Sequence, residues 1–120
     1  MAYITGTTQA VDFYCEAFNA TLKNCFKASD EDDFYVHAEI VINNLTFLAL
    51  SEKSYYDKEF IHGDNMEFWV TFEDEQSLNK AYDVLKENAT IHSALQPCEW
   101  CSTIANLTDK YGVRWLLNII

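Results

Sequence analysis

A chain of 120 residues with 49% hydrophobic and 15% aromatic content is about one domain long and has enough apolar material for a core without staples. Eight Lys and Arg against 19 Asp and Glu leave a formal charge of -11, which repels phosphate backbones and anionic lipid, so neither nucleic acid nor a membrane surface is an expected partner. Residues 1–8 hold no basic n-region or long apolar h-region, and no later stretch approaches the roughly 20 apolar residues of a membrane span, so a cytoplasmic protein is expected.

A short strand at residues 3–5 opens the chain. Over 8–18, Val11, Tyr14, Cys15 and Phe18 fall at i, i+3, i+4 and i+7 with Asp12 and Glu16 off the stripe, which predicts an amphipathic helix capped by Asn19. Residues 21–28 read as a strand, and the acidic run 29–33 as a solvated turn. Residues 35–42 and 45–50 flank Asn43-Asn44, a pair that tolerates positive φ, and predict a hairpin. After a polar segment, 51–65, the order recurs: strand 66–72, helix 75–87 behind the N-cap Asp74, then strands at 90–95, 102–107 and 113–119. Leu78, Ala81, Tyr82 and Leu85 give the second helix the spacing of the first. Two βαβββ modules, at about 1–52 and 66–120 with a linker at about 53–65, follow from this repeat, each sheet burying one face on its own helix.

Four cysteines, Cys15, Cys25, Cys98 and Cys101, are expected as free thiols in a reducing compartment. Cys98-Glu99-Trp100-Cys101 has C-x-x-C spacing, but it follows Pro97 between predicted strands and has no second pair, a poor setting for redox or zinc chemistry. The Asn-x-Thr triplets at Asn19, Asn44, Asn88 and Asn106 are read as composition. Gly6, Gly63 and Gly112 stand apart, so no phosphate loop exists, and no Ser sits in a strained-turn motif.

Six stretches stand out: Ala10-Val11-Asp12-Phe13-Tyr14 through Phe18-Asn19, His37-Ala38-Glu39, Leu50-Ser51-Glu52, Phe68-Trp69-Val70, Leu95-Gln96 with Trp100, and Asp109-Lys110-Tyr111-Gly112-Val113-Arg114-Trp115 with Asn118. Together they resemble the PhnB-like branch of the vicinal-oxygen-chelate superfamily of glyoxalase, bleomycin-resistance and dioxygenase proteins. The resemblance implies an α+β fold of two βαβββ modules whose curved mixed sheets enclose a cavity, and a homodimer. Many superfamily members hold a divalent metal through His, Glu or Gln, one near each of four strands. Here those positions fall on residues 3–5, Ala49, Glu67 and Leu116, one plausible ligand of four, so no metal and no other cofactor is expected. The branch is often labelled as resembling a demethylubiquinone methyltransferase, but nothing here provides a nucleotide-like cofactor loop.

Strand alternation sends Met66, Phe68, Val70 and Phe72 toward the helix and Glu67, Trp69 and Thr71 away from it. In the last strand it sends Val113, Trp115, Leu117 and Ile119 inward and Arg114, Leu116 and Asn118 outward. Glu67, Trp69, Arg114 and Asn118 therefore form a polar-aromatic lining for a small ligand, anionic where Arg114 meets it and stacked on Trp69. Against this stands a plain pairing of Arg114 with Glu67 or with solvent. His37 and Glu39, side by side on one strand face, form a second candidate, a general base or half a metal site, or else part of an exposed sheet face or dimer contact. His62 and His92 carry less weight.

Two functions fit. One is a dimeric, metal-free protein that binds a small molecule, as sequestering drug-resistance members of the superfamily do. The other is a metal-dependent isomerase, lyase or dioxygenase with His37, Glu39 and Glu67 as a rearranged ligand set. Tyr55, Tyr56 and Phe60 of the linker are expected to cap the cavity mouth or dimer seam, or else to meet a partner.

Overall fold

The computed structural model describes residues 1–119. They form two compact units, divided between Ile61 and His62. Unit 1 runs β1 (Ala2–Ile4), α1 (Thr7–Phe18), β2 (Thr21–Phe26), β3 (His37–Ile42) and β4 (Leu45–Glu52), followed by one 3-10 turn at Lys53–Tyr55. Unit 2 repeats the order with β5 (Phe68–Thr71), α2 (Glu75–Leu85), β6 (Thr90–Gln96), β7 (Thr103–Thr108) and β8 (Arg114–Ile119). The sheet orders are β1-β4-β3-β2 and β5-β8-β7-β6, each with one parallel pair, β1·β4 and β5·β8, and antiparallel pairs elsewhere. The class is α+β with two mixed, four-stranded sheets, the expected pair of βαβββ modules. Among the described residues no helix is long and apolar enough to cross a membrane.

In unit 1, α1 buries Ala10, Val11, Phe13, Tyr14, Ala17 and Phe18 against β2, β3 and β4, a wider stripe than the spacing of four predicted. Its N-terminus has no local side-chain cap. Instead the carboxylate of Glu52, 3% exposed at the end of β4, accepts from Gly6 N at 2.9 Å and Thr7 N at 3.0 Å. A buried negative charge thus meets the free N–H groups and positive end of the helix, which explains the Glu of Leu50-Ser51-Glu52. Thr7 Oγ1 adds a tie to the Tyr35 backbone, donating to its O and accepting from its N, both at 2.8 Å.

In unit 2, α2 lies against β8 and buries Leu78, Ala81 and Leu85. Asp74 caps it as expected, accepting from Ser77 N at 2.7 Å. The turn into β8 is built on Asp109. One of its oxygens accepts from Tyr111 N at 2.9 Å and Val113 N at 3.1 Å, and the other accepts from Trp115 Nε1 at 2.9 Å. Gly112 has φ 86, and a Cβ there would lie 3.2 Å from the His62 ring. Only glycine adopts that conformation without strain. The Asp-Lys-Tyr-Gly-Val-Arg-Trp stretch is therefore a unit in which Asp109 ties a turn to a buried indole.

Three of the four Asn-x-Thr asparagines have a backbone reason. Asn19, Asn44 and Asn88 adopt φ of 52, 63 and 55, as does Asn43 at 52, in helix ends and a hairpin turn where Asn is the best residue after Gly.

Two expectations fail. The strand proposed at 66–72 shrinks to Phe68–Thr71, and Met66, expected to meet the helix, is 82% exposed. Free thiols hold for Cys15 and Cys25 but not for Cys98 and Cys101, which are disulfide-bonded. The turn after Pro97 brings their Cα atoms to 5.4 Å, within the range a bridge spans without backbone movement.

Candidate functional site

The β5·β8 register puts Trp69 beside Leu116 and Thr71 beside Asn118, and the β7·β8 register puts Asn106 beside Leu116. Trp115 and Leu117 are buried on the α2 side, so Arg114, Leu116 and Asn118 occupy the opposite face, as alternation predicts. Two clusters share that face.

The first is ionic. Arg114 Nε donates to Glu67 Oε2 at 3.1 Å, Nη1 to the Asp64 carbonyl at 3.0 Å and Nη2 to Asn106 Oδ1 at 3.1 Å. Asn106 Nδ2 donates to the same Glu67 oxygen at 2.7 Å and to Trp115 O at 3.0 Å. Both charged side chains are 32% exposed, so the pair contributes at most about 1 kcal/mol to stability. Its effect is positional: the guanidinium is fixed along the edge of an open pocket of about 200 Å³ that Asp64, Asn65, Met66 and Glu67 also line.

The second cluster is aromatic and amide. Trp69 Nε1 and Thr71 Oγ1 both donate to Asn118 Oδ1 at 2.8 Å. Trp69 meets Trp100 edge to face at 5.6 Å, and the two indoles are 59% and 55% exposed. Trp100 is placed by the ring that Cys98 and Cys101 close. Asn118 is fully buried, and its Nδ2 has no hydrogen-bond partner.

His37 and Glu39 lie in unit 1, on the face of β3 opposite the buried Ala38 and Ile40. His37 Nε2 is 3.7 Å from Glu39 Oε2, and Asn24 Nδ2 donates to that oxygen at 2.9 Å. The side chains are 42% and 27% exposed, a partly solvated pair.

The positions at which the resemblance places a metal do not fit one. Ala49 and Leu116 offer no side-chain donor atom, and the Glu67 carboxylate already faces a guanidinium and an amide. Among the described residues no three His, Cys, Asp or Glu come together as a metal-holding group.

Sequence reasoning brought Glu67, Trp69, Thr71, Arg114 and Asn118 to one face but missed Asn106 and Asp64. Asn106 carried a usable signal: a polar residue between Ala105 and Leu107, both fully buried, must point away from the helix. The Asp64 carbonyl carried none, since its role depends on the loop path.

The family model for 3-demethylubiquinone-9 3-methyltransferase matches residues 1–118. The chain belongs to this PhnB-like family. Solved structures agree on the fold of this family member. The PhnB protein of Bacillus cereus is 22% identical, with a TM-score of 0.82 over 98% of this chain and 94% of that one. Protein PA1353 of Pseudomonas aeruginosa is 22% identical, with a TM-score of 0.79 over 98% and 92%. A glyoxalase/bleomycin resistance/dioxygenase family enzyme of Burkholderia phytofirmans is 12% identical, with a TM-score of 0.73 over 99% and 94%. No curated protein matches the chain. The fold of this PhnB-like chain is therefore that of the glyoxalase/bleomycin-resistance superfamily.

Proposed function

We propose that this PhnB-like chain is a small-molecule-binding protein whose ligand lies on the helix-free face of the unit 2 sheet, against Trp69 and with Glu67, Arg114 and Asn118 as polar lining. The observation that carries this reading is the Trp69–Trp100 pair, two large indoles more than half exposed on a strongly acidic chain. Exposed paired indoles beside oriented polar groups are the usual character of a recognition surface. The reading needs no metal, because Glu67, the one carboxylate at the metal positions, is paired with Arg114. It also carries no methyl transfer, because Gly6, Gly63 and Gly112 stand apart and form no cofactor loop. A metal-dependent lyase, isomerase or dioxygenase using His37, Glu39 and Glu67 has in its favour the 3.7 Å approach of His37 Nε2 to Glu39 Oε2, but Glu39 accepts from Asn24, and Glu67 from Arg114 and Asn106.

The test is a thermal-shift screen of small aromatic acids, amides and antibiotics on protein purified without a His-tag. A ligand at one hundred times its Kd stabilises by about 2.7 kcal/mol, a shift of several degrees. Trp69→Ala should weaken the best compound tenfold or more and Arg114→Ala should weaken it less, with both variants folded. Unchanged affinity in Trp69→Ala removes the site. Stoichiometric zinc, manganese, nickel or iron after incubation, measured by elemental analysis, removes the metal-free part. We propose a homodimer as the working form, since the outermost strands β2 and β6 leave Phe26 and Ile91 58% and 41% exposed; light scattering tests it.

A further inference from the structure

Asn118 is the last polar residue of a strand that otherwise reads Trp-Leu-Leu before it and Ile after it. Its Oδ1 accepts from both Trp69 and Thr71, and those two donors settle which end of the carboxamide is oxygen. The Nδ2 end, with two hydrogens to give, meets no acceptor, and among the described residues it is the one buried side-chain polar atom in that position. A leucine here would carry no such cost. Folded proteins seldom keep a buried donor unpaired unless something outside the chain's own groups completes it.

We infer that Asn118 Nδ2 determines the specificity of the unit 2 site, donating to the oxygen of an uncharged carbonyl group on a ligand whose flat face lies along Trp69. This rests on the binding reading above and narrows it from organic molecules in general to planar amides, lactams, esters or ketones. Charge selects the neutral oxygen over a carboxylate. A carboxylate would place a full negative charge on a neutral amide in a chain of net charge -11. The cation of this face, Arg114, is already paired with Glu67 and held by Asn106 and the Asp64 carbonyl. A carbonyl oxygen asks only for a hydrogen bond, and a buried carboxylate asks for a counter-charge as well. Because Nδ2 is closed off from solvent, an incoming oxygen reaches it when a neighbouring side chain moves aside.

Three probes of one shape test this: 2-naphthamide, 2-naphthoate and 2-methylnaphthalene, titrated into the full chain while the Asn118 side-chain N–H and Trp69 indole N–H signals are followed by nuclear magnetic resonance. The amide should bind at least tenfold more tightly than either other probe and move the Asn118 signals. In Asn118→Leu its advantage over the hydrocarbon should fall to within about twofold. Comparing probes within one variant cancels any general loss of stability. If Asn118→Leu does not fold, Asn118→Asp keeps the oxygen that Trp69 and Thr71 use and replaces the donor by an acceptor, with the same expected loss. The inference is overturned if the naphthoate binds more tightly than the amide, or if the amide preference survives both variants. It is also overturned if Asn118 Nδ2 shows contact with a long-lived water that the amide does not displace. Should the hydrocarbon perturb Trp69 with no preference for the amide, the binding site stands and the Asn118 inference falls; should no probe perturb Trp69 or Trp100, both fall.

Discussion

Tyr3 of β1 and Trp69 of β5 hold matching places in their units, each the second residue of its strand and each paired in parallel with the strand that ends the module. Unit 1 closes the surroundings of Tyr3 with its own chain. Tyr3 stacks on Phe60 at 5.1 Å and meets Tyr56 edge to face at 5.7 Å. Ser51 beside it is 2% exposed, with its hydroxyl 2.8 Å from Val36 O and 2.9 Å from Tyr56 Oη. Unit 2 leaves Trp69 more exposed than Tyr3, meets it with a single indole from the β6–β7 connection, and keeps a buried amide donor without an acceptor. The helices differ in the same sense, α1 burying seven residues and α2 three. One module order thus yields a self-satisfied unit and an incompletely satisfied one, and the deficit marks where a ligand is to be sought.

If unit 2 depends on fewer buried groups, its largest single sensitivity is Trp115, 1% exposed and tied to Asp109. Trp115→Ala should destabilise by about 3–5 kcal/mol through the cavity and the stranded Asp109 oxygen. Urea unfolding with hydrogen exchange should show unit 2 amides losing protection before those of α1. A loss below about 1 kcal/mol, or equal loss of protection in both units, breaks the contrast.

A smaller effect is expected from the disulfide, which closes a ring of only four residues. The chain-entropy account gives about 2 kcal/mol for so short a loop. Cys98→Ser with Cys101→Ser should cost that much or less and should change the emission of Trp100, while unit 1 protection stays as it was. Thiol titration of the denatured protein should find two free thiols before reduction and four after. In the folded protein Cys25, exposed, should be alkylated before Cys15, whose thiol is pushed up by burial and by the nearby Asp12 carboxylate. Four thiols before reduction would remove the clip that places Trp100.

Much of this architecture was legible because it is local. Helical spacing, the Asn43-Asn44 turn, the Asp74 cap and strand alternation each involve residues a few positions apart, and they sufficed for two βαβββ modules and for the face that carries Glu67, Trp69, Arg114 and Asn118. What escaped is non-local or geometric. Glu52 caps α1 from 46 residues away. Asn106 is drawn into the Glu67–Arg114 pair across the β7·β8 ladder and a loop path. The Cys98–Cys101 closure depends on how a turn aims two Cβ atoms, which spacing alone does not fix. That Asn118 keeps an unpaired donor could be seen only once both residues claiming its oxygen were placed.

The two helix starts offer the finest test of the contrast, because one is capped from inside its unit and the other at the surface. Asp74 accepts from Ser77 N and Ser77 Oγ, and those hydrogen bonds, the backbone one first, hold its carboxyl below the ordinary 3.8. A lowered folded value means the cap is fully formed above the ordinary carboxylate value and is lost as pH falls through the lowered one. The Ser77 amide should therefore gain exchange rate below pH 3.8, ahead of the rest of α2. Asp74→Asn, whose one oxygen accepts from Ser77 N without a charge while its amide nitrogen can only donate to Ser77 Oγ, should keep the helix start and abolish that pH dependence. If the Ser77 amide in Asp74→Asn still follows pH as before, the fraying belongs to the thin packing of α2 on β8 and not to its cap, and the difference between the units lies wholly in their cores.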